Sequence, residues 1–343
     1  MYSFKNDYSE GACPQIMEAL IHTNEKQSDG YGLDDYSEAA RDIIRKAISR
    51  EDVDVHFFVG GTQANQTIIA SILRPYEAVI ACDSGHINVH ETGAIEASGH
   101  KVLVAPANNG KLLPEDVESI VKKHNDEHMV KPAMIYISNA TEIGTVYTLK
   151  EMMALRSVCD QYDLYFFMDG ARLGSALCAS DSDLSLAQIA QIVDVFYIGG
   201  TKNGALFGEA CVITNNKLKK DFRYHIKQRG GMLAKGRLLG IQFATLLKDD
   251  TFYELAKHAN ACAQKMQSGL KDMGVSFFVE TTTNQIFPIL KIETIRELVK
   301  KYQFQDWEKM DDTHYAMRFV TSWATPMSIV DEFLLDCKEI LKK

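Results

Sequence analysis

The sequence predicts an α/β protein with two domains. Short apolar runs rich in β-branched and aromatic residues alternate with helix-like patterns from Val55 to Ile213, which is typical of a mainly parallel sheet with helices on both faces. The length of 343 residues exceeds the usual size of a single hydrophobic core. The pattern changes after a helix predicted over residues 237–247, which would join the two domains. We therefore predict a large domain over residues 1–245 and a small α+β domain over residues 246–343.

The first elements are two helices separated by a loop. Pro14 opens the first helix, because proline suits the first helical turn. The segment from Ser28 to Asp35 is polar and punctuated by glycine, so it is predicted to be a loop. Within it, Tyr31 stands between two glycines and is either an exposed ligand contact or a packed loop aromatic. A second helix is predicted from Ser37 to Ile48.

A strand, a glycine turn and a helix come next and form a candidate phosphate site. Gly60, Gly61 and Thr62 make the turn. Glycine lets the backbone approach a ligand, and the start of a helix offers unpaired N–H groups. A plain turn is an equally good interpretation. The spacing matches neither G-x-G-x-x-G nor G-x-x-x-x-G-K-[ST], which disfavours a dinucleotide or a P-loop nucleotide.

The later elements of the large domain place polar residues after apolar strands. His86 follows one strand, and Glu142 lies in the loop after another. His86 and His90 are four residues apart and would share a helix face, but no third zinc ligand is evident nearby, so we predict no metal. The predicted strands are 55–59, 78–82, 102–104, 133–138, 164–168, 193–198 and 211–213. The predicted helices are 14–21, 37–48, 67–73, 113–121, 149–161 and 237–247.

The most informative stretch is the strand that ends in a glycine pair followed by Lys202. Only small residues flank this lysine. Burial of an ammonium group without a partner is costly, and desolvation lowers the pKa of the amine and frees it as a nucleophile. Such an amine forms a Schiff base with an aldehyde, and pyridoxal phosphate is the predicted ligand. A loop lysine that reaches solvent is the alternative.

A second charged residue supports this hypothesis. Asp169 closes an almost wholly apolar strand, where a buried carboxylate needs a cationic partner. A protonated pyridine nitrogen would be one such partner, and Arg172 another. Ligand groups in open α/β sheets collect at the carboxyl ends of the strands. We therefore expect Lys202, Asp169, His86 and the glycine turn to meet there.

The chain beyond the lysine contains further basic residues. Arg229 and Lys235 belong to a basic segment that is either a solvated face or part of a site. Arg318 interrupts an apolar strand, so it either pairs with an acid or binds a substrate carboxylate through two hydrogen bonds. The small domain is predicted to contain helices over 252–273, 295–301 and 328–341 and strands over 275–280, 285–291 and 316–320.

Composition excludes several classes of function. The net charge of −9 argues against a nucleic-acid partner, which would favour a basic face. The seven cysteines are scattered and form no Cys-x-x-Cys pair, which indicates reduced thiols. The amino terminus lacks the apolar core of a signal peptide, and no run approaches the roughly 18 apolar residues of a membrane span. We expect a cytoplasmic protein that does not contact membranes.

Together these blocks resemble the threonine aldolase and β-eliminating lyase family of fold type I pyridoxal-phosphate enzymes. The resemblance runs from about Lys5 to Val320, nearly the whole chain. An Asp-Gly-Ala-Arg block followed by a lysine at a later strand end is quite specific when the other blocks accompany it. The matching blocks are Tyr31-Gly32, Gly60-Gly61-Thr62, Ser84-Gly85-His86, Asp169-Gly170-Ala171-Arg172, Gly200-Thr201-Lys202 and Gly230-Gly231-Met232.

The resemblance implies the fold and the cofactor contacts. It implies a mainly parallel sheet of the seven-stranded type and a small C-terminal domain. Lys202 would form the Schiff base with pyridoxal phosphate, Asp169 would keep the pyridine nitrogen protonated, and His86 would stack on the ring. The cofactor phosphate would bind to Gly61 and Thr62.

The resemblance also implies contacts to the substrate and between subunits. Arg172 is expected to contact the cofactor, and together with Arg318 it would bind the substrate carboxylate. Tyr31, with Arg229 or Lys235, would reach the phosphate from a neighbouring subunit. The family implies a homodimer or homotetramer with shared active sites.

Two departures from the family pattern bear on the substrate. The block Lys5-Asn6-Asp7 replaces Arg-Ser-Asp, and the Asn6 side chain is still expected to reach the substrate carboxylate. Glu142 stands where many members have a histidine near the substrate β-hydroxyl. Glu142, His86 and a bound water are therefore the candidate bases.

The predicted reaction is aldol cleavage of L-threonine or L-allo-threonine to glycine and acetaldehyde. One alternative keeps the cofactor but carries out β-elimination, racemisation or transamination of another small amino acid. Another alternative, from a different class, is a non-catalytic ligand-binding protein on the same fold.

Overall fold

The computed structural model of the protein describes residues 1–342. Its strands are β1 (Tyr2–Ser3), β2 (Asp54–Phe58), β3 (Glu77–Cys82), β4 (Lys101–Ala105), β5 (Lys131–Ser138), β6 (Tyr165–Asp169), β7 (Val195–Gly199), β8 (Glu209–Ile213), β9 (Gln285–Ile286), β10 (Ile289–Lys291), β11 (Tyr302–Gln303), β12 (Gln305–Lys309) and β13 (His314–Val320). Its helices are α1 (Pro14–Thr23), α2 (Asp35–Ala47), α3 (Gly61–Ile72), α4 (His86–Val89), α5 (Ala94–Ala97), α6 (Pro114–Lys123), α7 (Leu149–Tyr162), α8 (Leu173–Leu177), α9 (Leu186–Ile192), α10 (Phe222–Gln228), α11 (Arg237–Leu246), α12 (Thr251–Asp272), α13 (Ile292–Leu298) and α14 (Met327–Ile340).

Local sequence signals explain where several helices begin. Pro14 and Pro114 occupy the first turns of α1 and α6, where a missing N–H costs no helical hydrogen bond. The Asp34 carboxylate caps α2 by accepting from the Ser37 N–H at 2.8 Å. Helix α7 begins with a capping box, in which the Glu151 carboxylate accepts from the Thr148 N–H at 2.8 Å.

The large domain contains a seven-stranded sheet in the order β2-β8-β7-β6-β5-β3-β4. Neighbouring strands are parallel except at β8, which runs antiparallel to both β7 and β2. The predicted mainly parallel sheet is therefore confirmed. Because the other six strands point the same way, the residues that follow β3, β5, β6 and β7 come together at one edge.

Helices cover both faces of this sheet, which explains why its strands are apolar almost throughout. Alternate side chains of one strand enter opposite cores: Phe166 packs with α7 and α9, whereas Phe167 packs with α3 and α10. Helix α11 lies against α2 and α1, so it packs on the large domain. No helix that the structure describes combines the length and apolar composition of a membrane-spanning segment.

The small domain differs from its predicted elements in detail. Residues 275–280 do not form the predicted strand, and only Phe277 makes a single bridge to Pro288. The predicted strand over 285–291 is divided into β9 and β10 because Pro288 has no N–H to continue the ladder. Strand β12 was not predicted, since its polar sequence and exposed edge lack an apolar run.

The amino-terminal residues complete the small domain. Strand β1 pairs in parallel with β11, and Phe4 is fully buried in the core formed by α12, β13 and α14. The predicted boundary between residues 245 and 246 falls at the end of α11 and stays a prediction. Residues 1–4 nevertheless pack with the domain at the opposite end of the chain.

Candidate active site

A cavity of about 330 Å³ lies at the carboxyl edge of the large sheet. It brings together residues that the sequence places far apart, as expected for an open α/β sheet. Seven of the predicted site residues line it: Gly61, Thr62, His86, Glu142, Asp169, Arg172 and Lys202.

Lys202 lies in the turn that follows β7. The turn is closed by the N–H groups of Gly200 and Thr201, which donate to the carbonyl of Gly208 at 2.9 and 3.1 Å. Within residues 1–342 the lysine amine has no hydrogen-bond or ion-pair partner. Burial lowers the pKa of Lys202 and Arg172 adds to the effect, although Asp7 and other buried acids oppose it. The amine is therefore more easily neutral than an ordinary lysine.

Asp169 is a buried anion at the end of β6. Its Oδ2 accepts from the Tyr136 hydroxyl at 2.6 Å and from the Asn65 amide at 3.1 Å. Its Oδ1 accepts from the Ala171 N–H at 2.9 Å. Burial acts to raise the pKa of Asp169, but the nearby His86 and the Tyr136 hydrogen bond outweigh it, so the pKa lies below its usual value. Arg172, one of its predicted partners, does not contact it.

His86 begins the one-turn helix α4 and is held by a second buried acid. Its Nδ1 lies 2.7 Å from Glu91 Oε1, and that oxygen also accepts from the Asn65 amide at 2.7 Å. Burial acts to lower the pKa of His86, but Glu91 and Asp169 outweigh it and raise the pKa. The imidazole is therefore oriented by Glu91 and tends to carry a proton.

Glu142 is fixed in the loop after β5. Its Oε1 accepts from the His86 N–H at 3.0 Å and from the Ser138 hydroxyl at 2.6 Å. Burial raises the pKa of Glu142, and the charge of Asp169 acts in the same direction. A carboxyl group with a raised pKa can exchange a proton nearer to neutral pH. The geometry keeps Glu142 among the candidate bases.

The two arginines predicted to bind a carboxylate have different partners. Arg172 makes a two-point ion pair with the buried Asp7, from Nε to Oδ2 at 2.7 Å and from Nη2 to Oδ1 at 3.0 Å. Arg318 bonds only to neutral amides, namely Gln285 Oε1 at 2.9 and 2.6 Å and Gln305 Oε1 at 2.7 Å. Both arginines line a wider cavity of about 840 Å³ that also contains Lys202.

Burial and the repulsion of Arg172 lower the pKa of Arg318 to about 10. The guanidinium still carries its charge at neutral pH, and no acid neutralises it by direct contact within the described residues. Of the two alternatives for Arg318, an acid partner is therefore not found among the described residues, where two glutamines accept its hydrogen bonds. A buried cation without an anionic partner favours an anionic ligand.

The glycine turn faces the same cavity. Gly60 precedes the first turn of α3, and Gly61 and Thr62 present its free N–H groups. A Cβ atom on Gly61 would lie 3.1 Å from the Tyr197 hydroxyl. That hydroxyl is buried and lies close to Asp169, where it acts to lower the pKa of the carboxyl group. This end of the cavity therefore offers unused donors to an anionic group.

These features fit pyridoxal phosphate. The Asp169 carboxylate has no cation in contact with it, which a protonated ring nitrogen would supply. The N–H groups at Gly61 and Thr62, in the first turn of α3, match a phosphate group. The unpaired amine of Lys202 matches an aldehyde. Among residues 1–342 there is no group of three histidine, cysteine or acidic side chains that is arranged to hold a metal ion.

Four of the predicted site residues lie elsewhere in this chain. The Asn6 side chain accepts from the Tyr8 N–H and the Ser9 hydroxyl, both at 3.0 Å, and lines neither cavity. Tyr31 is 45% exposed, and its ring lies 4.6 Å from the Lys227 amine. Arg229 bonds to Gln228 beside it. Lys235 lines an open surface cavity that does not include Lys202.

Four residues that the sequence did not single out complete the site. Asp7 holds Arg172, Asn65 joins Asp169 to Glu91, Glu91 holds His86, and Glu209 lines the cavity with Lys202. Glu209 is an acid next to an apolar strand, which is the signal that identified Asp169. Asp7 gave no such signal, because its partner lies far along the chain.

Comparison with known proteins identifies the family. Residues 4–293 match the model of the β-eliminating lyase family. The chain is 33% identical to the low specificity L-threonine aldolase of Pseudomonas aeruginosa, across 98% of this chain and 97% of that protein. The solved structure of Leishmania major threonine aldolase is 46% identical, with a TM-score of 0.98 over 99% of this chain and 100% of that one.

A more distant structure shows how widely the fold is shared. A Thermus thermophilus aspartate aminotransferase is 14% identical and superposes with a TM-score of 0.72 over 99% of this chain and 91% of that one. The predicted fold type I architecture is thereby confirmed. Since the family match covers residues 4–293 and the relatives align over nearly their full length, the chain belongs to the β-eliminating lyase family.

Proposed function

We propose that the protein is a pyridoxal-phosphate-dependent lyase that cleaves L-threonine and L-allo-threonine to glycine and acetaldehyde. The observation that carries the proposal is the unpaired amine of Lys202 in one buried cavity with the Asp169 carboxylate. The near full-length likeness to proteins named as threonine aldolases supports this reaction over β-elimination, racemisation or transamination.

In this proposal the chain holds the cofactor at three points. Lys202 would bond to the aldehyde carbon, Asp169 would pair with the ring nitrogen, and Gly61 and Thr62 would donate N–H groups to the phosphate. When bound, pyridoxal phosphate supplies the electron sink for cleavage of the Cα–Cβ bond. Tyr136 and Asn65 keep Asp169 ionised and in place by donating to the same oxygen.

Arg318 is the stronger candidate for the substrate carboxylate. Its charge is not neutralised by any contacting acid, whereas Asp7 occupies two nitrogens of Arg172. Arg172 Nη1 remains available as a second donor. A carboxylate held at this point fixes the orientation of the amino acid before the reaction.

Glu142 and His86 are the groups that can take the proton of the substrate β-hydroxyl. Glu142 Oε2 is not used in the contacts that hold the loop, and His86 Nε2 is left free by the Nδ1 contact to Glu91. A bound water oriented by either group is the third candidate. Both side chains line the cavity that contains Lys202.

The test is product formation by the purified protein with pyridoxal phosphate. Glycine and acetaldehyde should appear in equal amounts from L-threonine and L-allo-threonine. Lys202→Ala should abolish both products and the visible absorbance of the loaded protein. Pyruvate with ammonia from serine would instead indicate β-elimination. Absence of turnover with threonine, allo-threonine and phenylserine would refute the proposal.

The assembly and location belong to the same proposal. We infer a cytoplasmic homotetramer in which pairs of subunits share active sites. The seven cysteines of the described chain are all free, and six of them are buried, which supports a reducing compartment. Tyr31, Arg229 and Lys235 lie away from the cavity of their own chain, which supports a role for them in a partner's site.

A further inference from the structure

Glu209 is a second buried acid beside Lys202, and the proposed reaction does not use it. It is the first residue of β8, lies opposite Gly199 of β7 and is only 4% exposed. It lines the same cavity as Lys202. A carboxyl group in such a position is costly unless it keeps its proton or balances a cation.

The position of this carboxyl group is fixed by the turn that carries the lysine. The Thr201 hydroxyl accepts from the Gly208 N–H and donates to Glu209 Oε1, both at 2.9 Å. Gly208 has a φ of +127°, and a Cβ atom there would lie 2.6 Å from Leu239, so the close approach requires glycine. Glu209 Oε2 is buried and has no partner among the described residues.

Three titratable groups lie near Glu209. Lys202 lies in the turn after β7, Asp169 ends β6, and Tyr197 lies within β7. Burial raises the pKa of Glu209 to about 8, with Asp169 acting in the same direction and Thr201 and Lys202 opposing. In return, the charge of Glu209 acts to raise the pKa of Lys202. The two groups therefore titrate as a pair.

We propose that Glu209 is a positioning residue that controls the protonation state of Lys202. As a carboxylate it stabilises the ammonium form, and as a neutral acid it leaves the amine free to react. When the ammonium N–H bond breaks and an O–H bond forms on Glu209, the net charge of the pair stays at zero. Loss of the Lys202 proton therefore leaves no net charge on this pair of residues. The inference rests on the proposed function, since it concerns the amine that would bond to the cofactor.

The experiment measures the basicity of Lys202 in the cofactor-free protein. Trace labelling with acetic anhydride between pH 6 and pH 10, read at Lys202 by mass spectrometry, gives its apparent pKa. Glu209→Gln keeps the size of the side chain and an acceptor for Thr201 but removes the charge. It should lower the apparent pKa of Lys202 by about one unit, which corresponds to roughly tenfold faster labelling below that pKa.

A second variant keeps the proposal testable if Glu209→Gln does not fold. Thr201→Val removes the hydrogen bond that stabilises the carboxylate, so Glu209 stays neutral to higher pH and the pKa of Lys202 should again fall. Glu339→Gln on the exposed face of α14 is the matched control and should leave the labelling profile unchanged. If Glu209 had only a structural role, Glu209→Gln would change the unfolding midpoint but leave the pH profile of Lys202 labelling unchanged.

An unchanged Lys202 profile in a folded Glu209→Gln protein would overturn the inference. The labelling needs neither cofactor nor threonine, so the result is independent of the proposed reaction. A shifted profile in a protein that fails to cleave threonine would remove the proposed function and leave the pairing of Glu209 with Lys202 intact.

Discussion

At the scale of single residues, each charged side chain of the cavity is held and oriented by a specific neighbouring residue. Asp7 neutralises Arg172, whereas Arg318 donates its hydrogen bonds to glutamine amides. Glu91 holds His86, and Tyr136 holds Asp169. Arg318 has no acid in contact with it, so it can attract a substrate carboxylate more strongly than Arg172 can. The neighbours of the two arginines therefore determine which one binds the substrate.

Asp7→Asn tests the contact that holds Arg172. The pair is buried, and loss of its charge leaves an uncompensated guanidinium, so the variant should lose about 3 kcal/mol of unfolding free energy. The KM for threonine should rise because Arg172 is no longer fixed. Urea unfolding and steady-state kinetics measure the two effects.

The control for Asp7→Asn is Asp42→Asn, which breaks an exposed pair with Arg45 and should cost less than about 1 kcal/mol. The pH dependence gives a further check. Burial acts to raise the pKa of Asp7, but Arg172 and Lys202 outweigh it and lower the pKa. The stability due to Asp7 is therefore present above its ordinary pKa and disappears as the pH falls. Equal losses for the two variants at neutral pH would contradict the role of Asp7.

Glu142→Gln tests the proton acceptor. The amide keeps the acceptor for Ser138 and for the His86 N–H but cannot take a proton. We expect kcat for threonine to fall by about 100-fold or more, in the range of general bases. The pKa of Glu142 is raised, so kcat of the unsubstituted protein should increase as the pH rises through the pKa of Glu142. In the variant this increase of kcat with pH should be absent.

Glu91→Gln separates Glu142 from His86. Removal of the Glu91 charge should lower the pKa of His86, since Glu91 is among the groups that raise it. At low pH kcat falls as the base becomes protonated. If this fall moves to lower pH in Glu91→Gln and persists in Glu142→Gln, His86 is the base. The pH profile of kcat for each variant decides between the two residues.

At the scale of elements, two glycines allow the ends of β6 and β7 to approach each other. A Cβ atom on Gly170 would lie 1.8 Å from the carbonyl oxygen of Tyr197, and one on Gly199 would lie 2.4 Å from that of Ala171. This close approach lets the acid that ends β6 and the lysine that follows β7 line the same cavity. The glycines are therefore part of the site although they provide no side chain.

Gly170→Ala should consequently disturb both the fold and the site. The added methyl group overlaps a backbone atom of β7, so we expect a loss of about 3 kcal/mol or more in unfolding free energy. Gly60→Ala is the control, because Gly60 has an extended backbone and no atom within 4 Å of the added Cβ. That variant should change stability by less than about 0.5 kcal/mol. Similar unfolding midpoints for both variants would refute the argument.

The sequence predicted those elements whose faces are both buried. Strands β5, β6 and β7 read as continuous apolar runs because helices cover both of their faces. The edge strand β12 has mainly polar and charged residues and was missed. The predicted strand at 275–280 was wrong because its pairing with the chain at Pro288 is limited to the single bridge at Phe277.

The same reasoning explains which site residues could be predicted. Lys202 and Asp169 were visible because each is a charge at the end of an apolar strand. Glu209 lies at the start of such a strand, and Asp7 lies in a polar lead. Their roles depend on contacts with Thr201 and Arg172 that only the folded chain supplies.

At the scale of the whole molecule, the site depends on both domains and on the amino-terminal segment. Asp7 binds Arg172 of the large domain and accepts from the Asn284 amide of the small domain at 2.9 Å. The same amide donates to the Thr321 carbonyl at 2.8 Å. Arg318 reaches the cavity from β13 of the small domain. Movement of the small domain would therefore change the substrate-binding groups while leaving Lys202 and Asp169 in place.

Mixing two defective variants tests the proposed sharing of sites between subunits. Lys202→Ala removes the amine, and Arg229→Ala removes a predicted phosphate contact that lies outside the cavity of its own chain. If Arg229 serves the partner's site, a mixed dimer contains one doubly defective site and one intact site. Random exchange of subunits should then restore about a quarter of the original sites.

The mixture is assayed at a cofactor concentration that leaves Arg229→Ala mostly unloaded, after subunits are exchanged in mild denaturant. Lys202→Ala alone and Arg229→Ala alone should show little acetaldehyde release, whereas the mixture should recover activity. Lys202→Ala mixed with Asp169→Asn is the control. Both of those residues line one cavity of one chain, so every mixed dimer keeps a defect in each site and no recovery is expected. Recovery equal to that control would place Arg229 outside the shared site and would leave the phosphate to the α3 turn alone.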